Sequence, residues 1–208
     1  LILVNGRPLG VQWAAENLPA IVEAWAPGMY GGQAVAEILY GQVNPSAKLA
    51  ITIPHSVGQL QMIYNHKPSQ YAAGKPSTPL YPFGHGLSYT TYKYDDLKLA
   101  QKEITKDGTV DVSVKVTNTG DRDGVEIVQL YIRDKFSSVT RPVKELKDFA
   151  RVSLKAGESQ VVNFKITPDK LAFYDKKMKK IVEPGEFIVM VGASSDDKDL
   201  LKDSFFVK

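Results

Sequence analysis

The sequence predicts a two-part molecule: a partial α/β sandwich whose parallel sheet lacks strands on its N-terminal side, then an all-β sandwich. Three observations predict it. Residues 1–53 alternate short apolar runs with helical patterns. Residues 54–94 hold Pro54, Pro68, Pro76, Pro79 and Pro82 together with Gly58, Gly74, Gly84 and Gly86, too many breakers for regular structure. Beyond residue 95 the hydrophobic period becomes two, most clearly in Val110, Val112, Val114 and Val116 with polar residues between them. The expected division is therefore 1–90 for the α/β part with its connecting loop and 91–208 for the β-sandwich.

In the first part, Leu1-Ile2-Leu3-Val4-Asn5 is an unbroken apolar run, as expected of a strand covered on both faces, and Gly6-Arg7-Pro8 ends it. A short helix is expected over 12–17, stopped by Pro19, and a second apolar strand over 20–25, stopped by Pro27-Gly28. Ala34, Val35, Ile38 and Leu39 recur at helical spacing within 31–40, and Gly41 stands where a C-terminal cap belongs. A third strand is expected over 48–53, before Pro54. Strands alternating with helices imply right-handed parallel crossovers. Three such strands are too few for a covered sheet, and the opening Leu1 is not an initiator Met, so the chain is expected to be a piece of a longer protein. An open sheet edge of this kind favours association between copies, so a homo-oligomer is a further expectation.

The irregular stretch is rich in aromatics, with Tyr71, Tyr81, Phe83, Tyr89, Tyr92 and Tyr94, which argues for packing on a surface rather than a free linker. In the second part, strands are expected near 97–99 and over 110–116, 125–132, 146–154, 159–166, 181–182, 187–191 and 205–207. Turns fall at Asn118-Thr119-Gly120-Asp121, Gly157-Glu158 and Pro184-Gly185-Glu186, and the charged run 175–180 reads as a solvated hairpin tip. Seven or eight short strands at this spacing fit a fibronectin-type sandwich. The aromatic residues Tyr131, Phe136, Phe149, Phe164 and Phe187 fall mostly at inward-alternating positions, leaving no evident binding platform.

Composition excludes several functions. No cysteine is present among the 208 residues, which removes disulfide, thiolate and cysteine-ligated metal chemistry. The net charge of +3 is small and scattered, so nucleic acid is not an expected partner. No apolar run approaches the roughly 18 residues of a membrane span. His55, His66 and His85 are not at metal-ligand spacing, so no metal and no cofactor are expected. Gly84-His85-Gly86 lacks the third glycine of a dinucleotide fingerprint, because Tyr89 stands in its place. Gly28, Gly31 and Gly32 precede a helix, where close helix–strand packing is the simplest reading. Glu16 and Glu37 fall on solvent faces of helices, Glu23 sits within an apolar strand and needs a partner such as Arg7, and Asp196, Asp197 and Asp199 form a loop cluster. None of these makes a self-contained catalytic set.

The order of short segments says more than any one of them. Val4-Asn5-Gly6-Arg7-Pro8-Leu9 precedes Ala20-Ile21-Val22-Glu23-Ala24-Trp25-Ala26-Pro27-Gly28 and Gly31-Gly32-Gln33-Ala34. Next come Leu39-Tyr40-Gly41-Gln42-Val43-Asn44-Pro45-Ser46-Ala47-Lys48-Leu49 and Thr52-Ile53-Pro54. Tyr81-Pro82-Phe83-Gly84-His85-Gly86-Leu87-Ser88-Tyr89-Thr90, Arg141-Pro142-Val143-Lys144-Glu145-Leu146 and Pro184-Gly185-Glu186-Phe187 complete the series. Taken together they resemble the C-terminal part of a glycoside hydrolase family 3 enzyme, most similar to bacterial β-glucosidases.

The resemblance implies an N-terminal barrel, an α/β sandwich and a fibronectin type III-like domain. It also implies retaining hydrolysis of terminal, non-reducing β-linked glucosyl residues from oligosaccharides or glucosides, in a periplasmic or secreted bacterial setting. Retention requires a nucleophile and an acid/base carboxyl about 5–5.5 Å apart. In the family both lie upstream of the segment matching Val4 to Leu9, so no catalytic residue is expected in this chain, and the chain alone is expected to be inactive. It is expected to contribute structure, with Tyr81 to Tyr89 joining the two parts, Asn44-Pro45-Ser46 setting the turn into 48–53, and the Tyr64 to Tyr71 loop placing His66 at the rim of the sugar pocket. Its implied partners are the barrel and a β-linked oligosaccharide or glucoside. The alternative is a stand-alone carbohydrate-binding or docking module.

Overall fold

The computed structural model describes residues 2–59, 62–68 and 78–208. Tyr71, Gly74, Pro76 and the remainder of the expected loop over 69–77 lie outside the described residues.

The first part contains strand β1 (Ile2–Asn5), helix α1 (Gln12–Asn17), strand β2 (Ile21–Trp25) and helix α2 (Gly31–Leu39). β1 and β2 pair in parallel, Leu3 opposite Val22 and Val4 opposite Glu23, with Val4 buried. α2 ends as its sequence dictates: Gly41 takes a φ of +71°, open to glycine at little cost, and its N–H returns to the Ile38 carbonyl at 2.9 Å. Gly31 is pressed against Pro27, where a Cβ would lie 2.6 Å from the ring, whereas Gly32 has open space.

The expected third strand over 48–53 is absent from this sheet. The segment is extended, but its backbone partners belong to the downstream loop: Leu49 N–H donates to His85 O, Gly84 N–H to Leu49 O, and Ile53 bridges Tyr81. Pairing with a loop that follows it in sequence draws the segment away from β1 and β2, so the sheet has two strands among the described residues.

The second part is a sandwich of a five-stranded and a three-stranded sheet. The smaller sheet orders β3 (Tyr92–Leu99), β5 (Val110–Asn118) and β8 (Ser159–Ile166). The larger orders β4 (Glu103–Ile104), β12 (Leu200–Val207), β11 (Gly185–Gly192), β6 (Gly124–Asp134) and β7 (Glu145–Leu154). Neighbouring strands are antiparallel except β4 with β12. The valines of β5 bury completely against Val128, Leu130, Phe187 and Phe205, as the two-residue period demands. A one-turn helix α3 (Pro168–Leu171) lowers Leu171 into this core. β9 (Phe173–Tyr174) and β10 (Lys180–Ile181) close the charged hairpin expected over 175–180. No helix among the described residues is long and apolar enough to cross a membrane.

β6 is buried on both faces. Val128, Leu130 and Ile132 point into the sandwich, while Gln129 and Tyr131 point the other way and are equally enclosed, by Tyr64 and Phe83 of the preceding stretch. The α/β part is thereby seated on the outside of the larger sheet.

Candidate functional site

The chemistry-bearing residues collect along the seam between the two parts. Phe83 stacks on Tyr64 with ring centroids 4.1 Å apart, and Tyr64 meets Tyr131 edge-on at 5.9 Å. The Tyr64 hydroxyl accepts from Leu146 N–H at 3.1 Å. Gly84 takes a φ of +80° and passes so close to β6 that a Cβ would lie 2.1 Å from Gln129 Oε1. Gln129 Nε2 donates to the carbonyls of Gly84 and Ala193, and Tyr131 donates to Gln129 Oε1. Burial pushes the Tyr131 hydroxyl well above its ordinary value, so it stays a donor. A Cβ on Gly86 would sit 2.3 Å from the Ala47 carbonyl. The two glycines flanking His85 therefore serve close backbone approach.

A charged clamp lies beside them. Glu126 is 2% exposed and receives Lys48 Nζ at 3.2 Å and the Tyr94 hydroxyl at 2.8 Å. Lys48 Nζ also donates to the Gly86 carbonyl. Burial and the Glu126 charge together hold the Tyr94 hydroxyl far above its ordinary value. The signal for Glu126 was present in the sequence: it shares the even-numbered face of β6 with Val128, Leu130 and Ile132, where an unpaired carboxylate is costly. A second enclosed cation, Lys144, donates to the Ser195 carbonyl and to Asp197.

The sequence-derived candidates do not converge. His66 is exposed on the outer side of the seam; its Nδ1 lies 3.0 Å from the Lys67 carbonyl, and its own carbonyl accepts from Val143 N–H at 2.9 Å. His85 stacks on Tyr81 at 5.2 Å, and burial together with Lys48 lowers its pKa. His55 lines an open cleft of about 390 Å³ with Trp13, Glu16 and Val57. Among the described residues of that lining Glu16 is the one carboxylate, whereas retaining hydrolysis uses two.

The remaining acids have structural bonds. Gln12 donates to Glu16 and Gln33 to Glu37. The expected Arg7–Glu23 pair does not form: Arg7 is exposed, and Glu23 folds back to accept from Trp25 N–H, a nearer donor. Asn44 does more than shape a turn. It accepts from Ser88 Oγ and Tyr89 N–H and donates to the Asp123 carbonyl, tying both parts together. Asp197 pairs with Lys144 and Lys202, Asp196 with Lys198, and Asp199 accepts from Ser194. No cluster of three metal-ligating side chains exists among the described residues. Three aromatics expected to point into the sandwich do not: Tyr131 faces the other way and is buried under Tyr64 and Phe83, while Phe136, beyond the end of β6, and Phe149, on the outer face of edge strand β7, are exposed.

Comparison with known proteins accounts for both halves. Residues 1–89 match the glycosyl hydrolase family 3 C-terminal domain, and residues 126–195 match the fibronectin type III-like domain. The chain matches the C-terminal part of glycoside hydrolase family 3 enzymes. It is 47% identical over its whole length to a β-xylosidase of Formosa agariphila, of which it covers 30%. It is 43% identical over 94% of its length to the periplasmic β-glucosidase of Salmonella typhimurium, of which it covers 27%. Among solved structures, a β-glucosidase of Erythrobacter marinus superposes with a TM-score of 0.93 at 45% identity, over 99% of this chain and 28% of that one. A Listeria innocua β-glucosidase solved in complex with glucose gives 0.91 at 36% identity, over 99% of this chain and 30% of that one. The chain thus spans less than a third of these relatives and corresponds to their C-terminal part.

Proposed function

We propose that this chain is the C-terminal portion of a retaining β-glucosidase-like hydrolase that removes terminal, non-reducing β-D-glucosyl residues. In this reading 1–90 completes an α/β sandwich, 91–208 is the fibronectin type III-like domain, and the catalytic carboxylates are supplied from outside the chain. His66 takes the rim of the sugar pocket, where its main chain is braced by Val143. The observation that carries the reading is similarity over 94–100% of this chain to the C-terminal part of a named β-glucosidase and a named β-xylosidase, combined with Glu16, Glu23 and Glu37 already engaged in structural bonds.

The test is an assay of p-nitrophenyl β-glucoside and β-xyloside hydrolysis with this chain alone and with the protein extended to the length of its relatives. The extended protein is expected to turn over the glucoside and the chain alone to release nothing. Turnover by the isolated chain at an enzyme-like rate overturns the reading. Replacing His66 by Ala in the extended protein is expected to raise KM; an unchanged KM removes His66 from the rim. Self-association through the open β1–β2 sheet belongs to the same proposal, and a monomer by sedimentation would remove it.

A further inference from the structure

Beside the seam, a cleft of about 210 Å³ opens between Pro68 and the loop that follows β6. Phe136 stands in it 74% exposed, with its ring free to offer an apolar face. The loop is braced from several sides: Lys135 is paired with Glu186 and lies 5.7 Å from the Phe136 ring centroid, Ser137 Oγ donates to Val139 O, and Ser138 N–H donates to Glu183. Arg141 is fixed by Glu145 at 2.6 Å and by the face of Phe173 at 4.7 Å.

Two polar atoms of the lining are left over. Asp134 Oδ2 and Arg141 Nε are buried and have no hydrogen-bond partner among the described residues. A buried polar group of this kind is destabilising unless something completes it. Burial raises the Asp134 carboxyl above its ordinary value, while the Arg141 charge and the Phe136 N–H oppose the rise. The Asp134 carboxyl and the Arg141 guanidinium line the cleft beside an exposed aromatic face, and together they match a particular chemistry. A pyranose ring offers an apolar C–H face and a rim of hydroxyls that both give and accept hydrogen bonds. A simple anion fits less well, because Lys135 and Arg141 are already neutralised by glutamates and Asp134 would repel it.

We propose that this cleft is a binding subsite for one pyranose unit of a β-linked glycan, stacked on Phe136 with its hydroxyls toward Asp134 and Arg141. The proposal rests on the glycosidase reading for its choice of ligand and goes beyond it by assigning sugar binding to the fibronectin type III-like domain.

The test is isothermal titration of the 208-residue chain with cellotriose and with xylotriose, repeated on Phe136→Ala, Phe136→Trp and Phe149→Ala. Phe136 is exposed, so its replacement leaves the core intact. The chain is expected to bind at least one of the two trisaccharides, Phe136→Ala to weaken binding about tenfold through lost apolar contact, Phe136→Trp to restore it, and Phe149→Ala to change nothing. Absence of binding to both sugars, or equal affinity of Phe136→Ala and the parent, overturns the subsite. Hydrolysis by the extended protein is read separately, so turnover without binding by this chain rejects the subsite alone. Binding that depends on Phe136 sustains the subsite whether or not the extended protein hydrolyses the glucoside.

Discussion

Replacing Lys48 by Met tests whether the charged clamp joins the two parts. The side chain keeps its apolar stem and loses only the ammonium group. At a separation of 3.2 Å and an effective permittivity of about 20, the Lys48–Glu126 attraction is worth about 5 kcal/mol before the cost of enclosing the ions is subtracted. Removing one partner leaves a carboxylate that is 2% exposed and, among the described residues, supported by the Tyr94 hydroxyl alone, a situation that costs about 3–5 kcal/mol in buried pairs. Lys48 retains some solvent contact, with its side chain 12% exposed, so the lower end applies. About 3 kcal/mol lowers the midpoint of thermal unfolding by roughly 6–12 °C in a chain of this size. The assay is calorimetry with a parallel urea titration. Adding Glu126→Gln removes the stranded charge while keeping an acceptor for Tyr94, and should return the midpoint to within about 1 kcal/mol of the parent. A Lys48→Met midpoint indistinguishable from the parent, or a double variant no better than the single one, would refute the reasoning.

Four further expectations follow, three at the same seam and one at a turn away from it. Gly84→Ala must place a Cβ 2.1 Å from Gln129 Oε1 at a φ of +80°, so it should cost about 2 kcal/mol or more by urea unfolding. Gly157→Ala, at a similar φ of +75° with open space around it, should cost only about 1 kcal/mol. Phe83→Ala removes the stack on Tyr64 and should destabilise by about 2–3 kcal/mol, with loss of near-ultraviolet tyrosine dichroism as the local readout. The lowered pKa of His85 means that the unfolded chain binds its proton first, so its contribution is complete above the ordinary value of 6.5 and is lost as pH falls toward the folded value. Melting curves across that range should show the decline, and His85→Gln should flatten it; an unchanged slope in the variant would contradict the assignment.

Much of the fold was legible because the local signals were strong. The valine alternation of β5 and the glycine at position 41 each specify one backbone outcome, and the structure agrees with both to within a residue or two. The segment 48–53 departs from the expected sheet strand because its apolar pattern reports only that it is extended, not which neighbour completes its hydrogen bonds. Its partner lies some thirty residues downstream, in a loop whose own pattern carries no period. The Arg7–Glu23 pair failed for a related reason: charge complementarity across strands competes with a backbone donor only two residues away. Phe136 and Phe149 show the limit of parity arguments, which hold inside a strand and weaken past its end and on an edge strand. Of the candidate site, the family motifs were visible as an ordered series, whereas the orphaned atoms of Asp134 and Arg141 arise only once the loop closes on itself.

The double covering of β6 has a practical implication for anyone treating the β-sandwich as a movable cassette. Cut near residue 90, it would present Gln129, Tyr131 and Met190 to water on a face shaped for another segment. A transplanted copy would need its host to supply counterparts of Tyr64, Phe83 and the Gly84 backbone. The natural unit of exchange is therefore the sandwich together with the strap that crosses it.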